Sequence, residues 1–568
     1  MLHISAEYVK SCPYLLSFMD NYQYKIQIKE YKPKSCYDYR RILFLDEQKI
    51  WTYKKIPFNN ARLESLMATT FQDNAEKLLW IPPSLPYYQP GGVYKNVQNF
   101  TKTLVFSGWE MVPRIIACML SYEAERLTVG ELYKRESNKA RIGYKSENSK
   151  RFLSARLDKV YELVFTTASQ FLADIYEPIK HIGKSIKQVK SFINPIVKQR
   201  LDLLKKQLNY RAAGAEDPSW YWLAPKKIDG DEIEIPKRKM PADIVEVLTN
   251  MAMASPAICA LRITKDKEAA FAFAKEIVNM FNGREATAIV ELIYGRSDDA
   301  HYKNVLKYCV DGNFAAVLDE YAHMLDTVDT ASLTAGLKVN TAVYSIDTYT
   351  SFINDNKKNQ IRMRSKFAAG FYQTQIDGKT AQRKEGLRTA FNSPFRPFVL
   401  ATTSIGQEGL DFHNYSRRVV HWNLPHNPVD IEQREGRVNR YKCLAVRQNI
   451  AARYGKENRA FVKDVWSEMF EQALNEKDEK LPELAPYWCL PDGGDIKIER
   501  IVPMYPLSRE SVVYERLLKI LQLYRVTLGQ ARQEELLEYL LFNCDENKIK
   551  DLFINLSPFE KQKLLFYG

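Results

Sequence analysis

This 568-residue sequence lacks three things, and each absence excludes a class of protein. First, no apolar run approaches the roughly 18 residues needed to cross a bilayer, so no spanning helix and no membrane partner is expected. Second, the eight cysteines (Cys12, Cys36, Cys118, Cys259, Cys309, Cys443, Cys489 and Cys544) include no close pair. That scatter argues against a zinc site and a disulfide framework, and fits a reducing cytoplasm. Third, there is no complete phosphate-binding loop of the form G-x-x-x-x-G-K-[ST]. Gly183-Lys184-Ser185 and Gly378-Lys379-Thr380 imitate the end of such a loop, but the required first glycine falls at Pro178 and Gln373. The N-terminus has neither a basic start nor a clean apolar core, so it does not read as a signal peptide. Arg41 to Glu47 reads as a strand ending in the acidic pair Asp46-Glu47. With no phosphate loop upstream, that pair is not expected to hold magnesium.

What remains is a long, basic, otherwise ordinary chain. Its length calls for three or four domains. The net charge is +13 and 45% of residues are hydrophobic. The charge is uneven: residues 131 to 211 carry 18 Lys and Arg against 8 Asp and Glu. Two readings stand open for that segment, a solvated helical face and a surface for nucleic-acid backbone. Residues 81 to 92, rich in Pro and Gly, read as a connector. Lys102 to Ser107 is a buried-type strand, followed by helical periodicity from about Val112 to Leu127. Strand then helix is half of an α/β unit. Residues 131 to 337 read as one helical insertion, with amphipathic stretches at Glu268 to Met280 and Phe314 to Leu325. The α/β pattern resumes with a strand near 361–367 and a helix over Arg383 to Phe391. Beyond Tyr454 the chain reads as helical, with Ser508 capping a helix to Tyr524, another over Gln530 to Phe542, and a last one starting near Ser557.

The stretch from Phe398 to Tyr441 has the densest pattern. Phe398 to Ala401 is a buried-type strand. Gly406 and Gly409 allow backbone N–H groups to approach a phosphate or ribose. Val419 to Leu424 is a second strand, and Pro425, Asn427 and Pro428 make a turn. The helix expected next carries Arg437 and Arg440 three residues apart, so both would leave one face. Two always-charged forks on one face suit a triphosphate.

ATTSIGQEGLDFH (401–413) and LPHNPVDIEQREGRVNR (424–440) resemble motifs V and VI of superfamily 2 helicases, and KTLVFSGW (102–109) resembles their motif IV. The pattern looks most like the Swi/Snf-type branch and its bacterial relatives. The resemblance implies the second of two RecA-like lobes that clamp ATP with Mg²⁺, acting on DNA or RNA. It implies Arg440 as an arginine finger, Arg437 as a second γ-phosphate contact and Gln433 as an orienting group. Gly409, Asp411 and Gly436 would line the nucleotide or the lobe interface, and Thr402, Thr403 and Ser404 would touch nucleic-acid phosphate. The first lobe, with its phosphate loop and acidic pair, has no counterpart here, and residues 1 to 95 would be its end plus a linker. The expected fold is therefore an α/β RecA-like parallel-sheet lobe, split over 96–130 and 338–460. A basic helical insertion (131–337) and a helical C-terminal extension (461–568) complete it. The expected function is half of an ATP-dependent helicase or translocase, inactive as an ATPase without a P-loop partner polypeptide. The alternative is a non-catalytic nucleic-acid-binding protein.

Overall fold

A computed structural model describes residues 8–19, 23–30, 39–97, 99–135, 144, 156–158, 160–211, 213–297, 300–325, 327–338, 343–371, 378–403, 410–455, 464–477, 483–490, 494–524, 533–543, 545 and 548. The described strands are β1 Lys102–Ser107, β2 Ala213–Glu216, β3 Arg238–Lys239, β4 Val343–Ile346, β5 Ile361–Arg364, β6 Ala368–Phe371, β7 Val399–Thr403, β8 Ser416–His421 and β9 Glu499–Ile501. Five of them form a parallel sheet in the order β6-β7-β1-β8-β9. The expected α/β lobe is thus the observed one.

All six residues of β1 are buried, as a central parallel strand covered on both faces requires. Its side chains alternate. Leu104 and Phe106 pack with Leu400, Val419, Phe391 and Phe412 on one face. Val105 packs with Val399, Ala401 and Val420 on the other, in a core that also takes helices from between β1 and β4. The helix after β1, α1 (Met111–Glu125), is buried nearly all round. Lys102, at the start of β1, is buried with its ammonium on the carbonyls of Ala390 and Phe395, and burial pushes its pKa down.

Three local expectations fail. Arg41 to Glu47 is not a strand. Tyr39–Leu43 is a tight helical turn, and Asp46 caps the helix Glu47–Trp51, accepting from the N–H groups of Gln48 (2.9 Å) and Lys49 (3.2 Å). An Asp just before a helix satisfies otherwise orphaned donors, and this outweighed the apolar run. The strand near 361–367 is real but sits elsewhere: β5 pairs antiparallel with β4 in a two-stranded ribbon, and β6 is the edge of the main sheet. The alternating burial of β5 marks a half-buried strand, not one covered on both faces. Finally, Arg437 and Arg440 are not on a helix, which ends at Glu435.

β9 comes from residues expected to lie in a helical extension. At three residues it is too short to show a period. The helix α2 (Ile186–Gln207) starts at Ser185, the last residue of the first imitation loop. Ser185 forms a reciprocal capping box with Gln188, so this serine serves a helix end. The helix α3 (Ile244–Ala254) packs beneath α2, with Thr249 donating to Asn194 at 2.6 Å. The helix α4 (Gly378–Phe391) precedes β7, α5 (Val429–Glu435) follows β8, and α6 (Leu444–Tyr454) follows α5. Ser508 Oγ accepts from the Glu510 N–H at 3.3 Å where α7 (Glu510–Tyr524) begins, and Gln533–Asn543 is the next helix. The expected helix near Ser557 lies outside the described residues.

The Pro- and Gly-rich stretch 81–92 is tightly packed. Ile81 N–H donates to Pro394 O at 2.9 Å, and buried Glu320 accepts from the N–H groups of Ser84 (2.8 Å) and Leu85 (2.9 Å). Among the described residues no single helix is long and apolar enough to cross a membrane. Cys12, Cys118, Cys259, Cys309, Cys443 and Cys489 are free thiols.

Candidate functional site

β1, β7 and β8 run parallel, so Ser107, Thr403 and His421 end at one edge of the sheet. In open parallel sheets this carboxyl edge is where ligands bind. Thr402 and Thr403 finish β7 there. Both are buried, and the Thr402 hydroxyl donates to Thr403 O at 3.2 Å. Ser404, Gly406 and Gly409 lie outside the described residues.

The chain reappears at Leu410 and meets the segment after α5. Two contacts zip them together. Phe412 N–H donates to Arg437 O at 2.9 Å, and Arg440 Nε donates to Asp411 Oδ1 at 2.8 Å. Asn392, at the end of α4, adds a third tie through Asp411 O at 2.8 Å. Asp411, Gly436, Arg437 and Arg440 are therefore gathered in one small region. Gly436 ends α5, and a Cβ there would stand 3.2 Å from Glu432 O and 3.3 Å from Gln433 O. Gln433 is exposed on the last turn. Arg437 is half-buried, and its guanidinium has no hydrogen-bond or ion-pair partner among the described residues. The Arg440–Asp411 pair is about one-third exposed on each side, 34% and 37%. An ion pair that open contributes about 0–1 kcal/mol, so a stronger anion can displace the carboxylate.

The residues beneath hold α5 in place. Arg434 points inward, over the Phe106 ring at 5.6 Å, and donates to Asn423 O at 3.3 Å. Burial pushes its pKa down. Glu435 contacts the buried His421 at 3.2 Å and takes a two-pronged contact from Arg500 on β9, with Nη2 to Oε2 at 2.7 Å. Burial pushes the Glu435 carboxyl up, but the hydrogen bonds from Arg500 and His421 outweigh it and leave it below the ordinary range. His413 is half-buried beside the arginines; desolvation first, then Arg447, pulls its pKa down to about 4, so it stays neutral at neutral pH. None of these supports was singled out in sequence. Glu435 sits inside the motif VI stretch and His421 just before it, but Arg500 lies in the unreadable β9. Among the described residues no group of three or more His, Cys, Asp or Glu is arranged to hold a metal ion.

Residues 338–442 match the helicase conserved C-terminal domain. No curated protein and no solved structure gives a significant match to the chain. The helicase C-terminal domain match spans β4 to β8, α5 and both arginines. It does not include β1, which nevertheless sits between β7 and β8. The helicase C-terminal domain points to a helicase-type function connected with nucleic acid.

Proposed function

We propose that this chain supplies the second RecA-like wall of a composite ATP site in a superfamily 2, Swi/Snf-like translocase. The P-loop wall would come from a lobe outside these 568 residues. The observation that carries the reading is Arg437: a half-buried guanidinium without a partner among the described residues, on a backbone turn fixed to Phe412. An unpaired fork on a fixed backbone turn fits a phosphate.

ATP with Mg²⁺ supplies the phosphoryl group and its counter-charge when bound. Arg437 and Arg440 present donors where charge builds up. Asp411 holds Arg440 until a phosphate replaces it. By the same resemblance Gln433 would orient the site and Gly409 would line the nucleotide, while Gly436 keeps the turn tight. Thr402, Thr403 and Ser404 would link the strand end to nucleic acid. A finger reaching from a separate lobe stabilises only when the lobes close, which couples hydrolysis to motion. The scattered cysteines would suit a reducing, cytoplasmic setting.

The test is an ATPase assay of this chain alone, then with a P-loop lobe polypeptide and DNA or RNA. The chain alone is expected to be inactive, with activity appearing in the mixture. Arg437→Ala or Arg440→Ala should remove about 10³-fold of that activity or more. Robust hydrolysis by the chain alone overturns the proposal. The second reading, a non-catalytic nucleic-acid-binding protein, is favoured by the six basic residues against one acidic on α2. It predicts binding with no hydrolysis in any mixture.

A further inference from the structure

The helix α2 has 22 residues, and its face of Val189, Ile193, Val197, Leu201 and Leu204 is buried. The helix carries six Lys and Arg and only Asp202 as an acid; of the six, Lys190 faces Glu246 at 3.5 Å and Arg200 lies over the Phe171 ring at 6.0 Å. At 100° per residue, Lys187, Lys198 and Lys205 fall within about 20° of one another, on a stripe about 27 Å long. Lys187 and Lys198 are exposed and have no acidic partner among the described residues. Among the described residues Lys205 meets only its helical neighbour Asp202, at 3.3 Å with both side chains open to solvent. A charged face serving only solubility usually mixes both signs evenly; here three lysines stand against one acid.

The start of α2 is fastened to the arginine region. Gly183 N–H donates to Tyr87 O at 3.0 Å, and Gln89 N–H donates to Lys184 O at 2.8 Å. Leu85 and Tyr87 share a core with Cys443, Val446 and Ile450, on the segment directly after Arg440. A polyanion lying on the stripe would therefore rest on an element joined, through 84–89, to α6.

We propose that Lys187, Lys198 and Lys205 form a sequence-independent track for a phosphodiester backbone, separate from the sheet edge. The identity of the polyanion rests on the helicase reading; the track itself needs neither ATP nor a partner lobe. Single-stranded DNA, duplex DNA and RNA share the chemistry, and the three are tested in parallel.

The experiment measures binding of fluorescent oligonucleotides to the full chain by anisotropy across a salt series. Each neutralised phosphate contributes about −0.9 to the slope of log K against log salt for duplex, and about −0.7 for a single strand. The variant with Lys187→Ala, Lys198→Ala and Lys205→Ala should lose about tenfold or more in affinity at low salt. Its slope should be shallower by about 3 for duplex or about 2 for a single strand. Lys198→Gln alone should shift the slope by about 1, which keeps the test open if the triple variant unfolds. An unchanged slope in the variants overturns the proposal. So does absence of nucleic-acid binding by the wild type, or binding only to phosphatidylserine vesicles. A failed ATPase reconstitution would sink the composite-site reading and leave this result standing.

Discussion

Glu435→Ala tests whether the arginine turn is braced from below as the structure indicates. Glu435 ends α5 and holds two cationic or polar partners, Arg500 and the His421 ring. Removing it strands both. His421 is 1% exposed, and its Nε2 would be left without its carboxylate, a loss of about 1–2 kcal/mol for a buried polar atom. The Arg500 side chain is 30% exposed, so its share is closer to a surface pair, about 1 kcal/mol. The expected total is about 2–3 kcal/mol, read as a shift of the urea midpoint followed by tryptophan fluorescence.

The pH dependence gives this test a second signature. Glu435 is held below the ordinary carboxylate range, so its stabilisation is present at neutral pH and lost as pH falls through its folded value. His421 is also lowered: burial dominates, and Glu435 partly opposes it. Its stabilisation is likewise lost as pH falls below about 6.5. In Glu435→Ala the opposing carboxylate is gone, so the variant loses more than the wild type on mild acidification. The gap between the two should widen below about pH 6.5 and close again once carboxylates protonate. A gap under about 0.5 kcal/mol, or one flat across this range, refutes the bracing.

Other outcomes follow from the same geometry. Phe106→Ala empties a fully buried site on β1 and removes the ring under Arg434; a loss of about 3–5 kcal/mol is expected by denaturant titration, and less than about 1 kcal/mol would contradict the sheet register. Burial pushes the Glu320 carboxyl up to about 7, against the Ser84 and Leu85 N–H groups and Arg447. A raised carboxyl contributes stability that is lost as pH rises, so wild type should lose about 3 kcal/mol relative to Glu320→Gln between about pH 5 and about pH 8. Ser185→Ala should cost about 1 kcal/mol through the lost cap of α2, measured as faster amide exchange in its first turn.

The sheet was legible because its strands are apolar, bounded by turn residues and buried on both faces. β1, β7 and β8 are longer than four residues, enough to show that character. β6, four residues reading AAGF, and β9, reading ERI, are too short and too mixed. They join the sheet through neighbours supplied by tertiary structure. Four residues singled out in sequence, Asp411, Gly436, Arg437 and Arg440, come together in the fold, but their geometry was not legible. Gly436 was read as part of a continuing helix, yet it closes α5, and the arginines sit on the turn beyond. Asp411 and Arg440 were assigned separate roles, and no spacing rule would pair residues joined only by the folding of two loops. The Asp46 cap was misread because an apolar run in RILFLDE carries no sign of which side chain ends it.

The position of β1 has a consequence for synthesis of the protein. Its partners β7 and β8 begin at Val399 and Ser416, while β1 ends at Ser107. At about 5–20 residues per second, the ribosome takes roughly 15–60 s to deliver the first of them. During that interval a strand destined to be the sheet's centre has no strand to pair with, while the helices between are already emerging. Nascent KTLVFS is then a bare edge on both sides. Folding of this lobe is paced by translation of the insertion, and truncations that end before β7 should accumulate as aggregates.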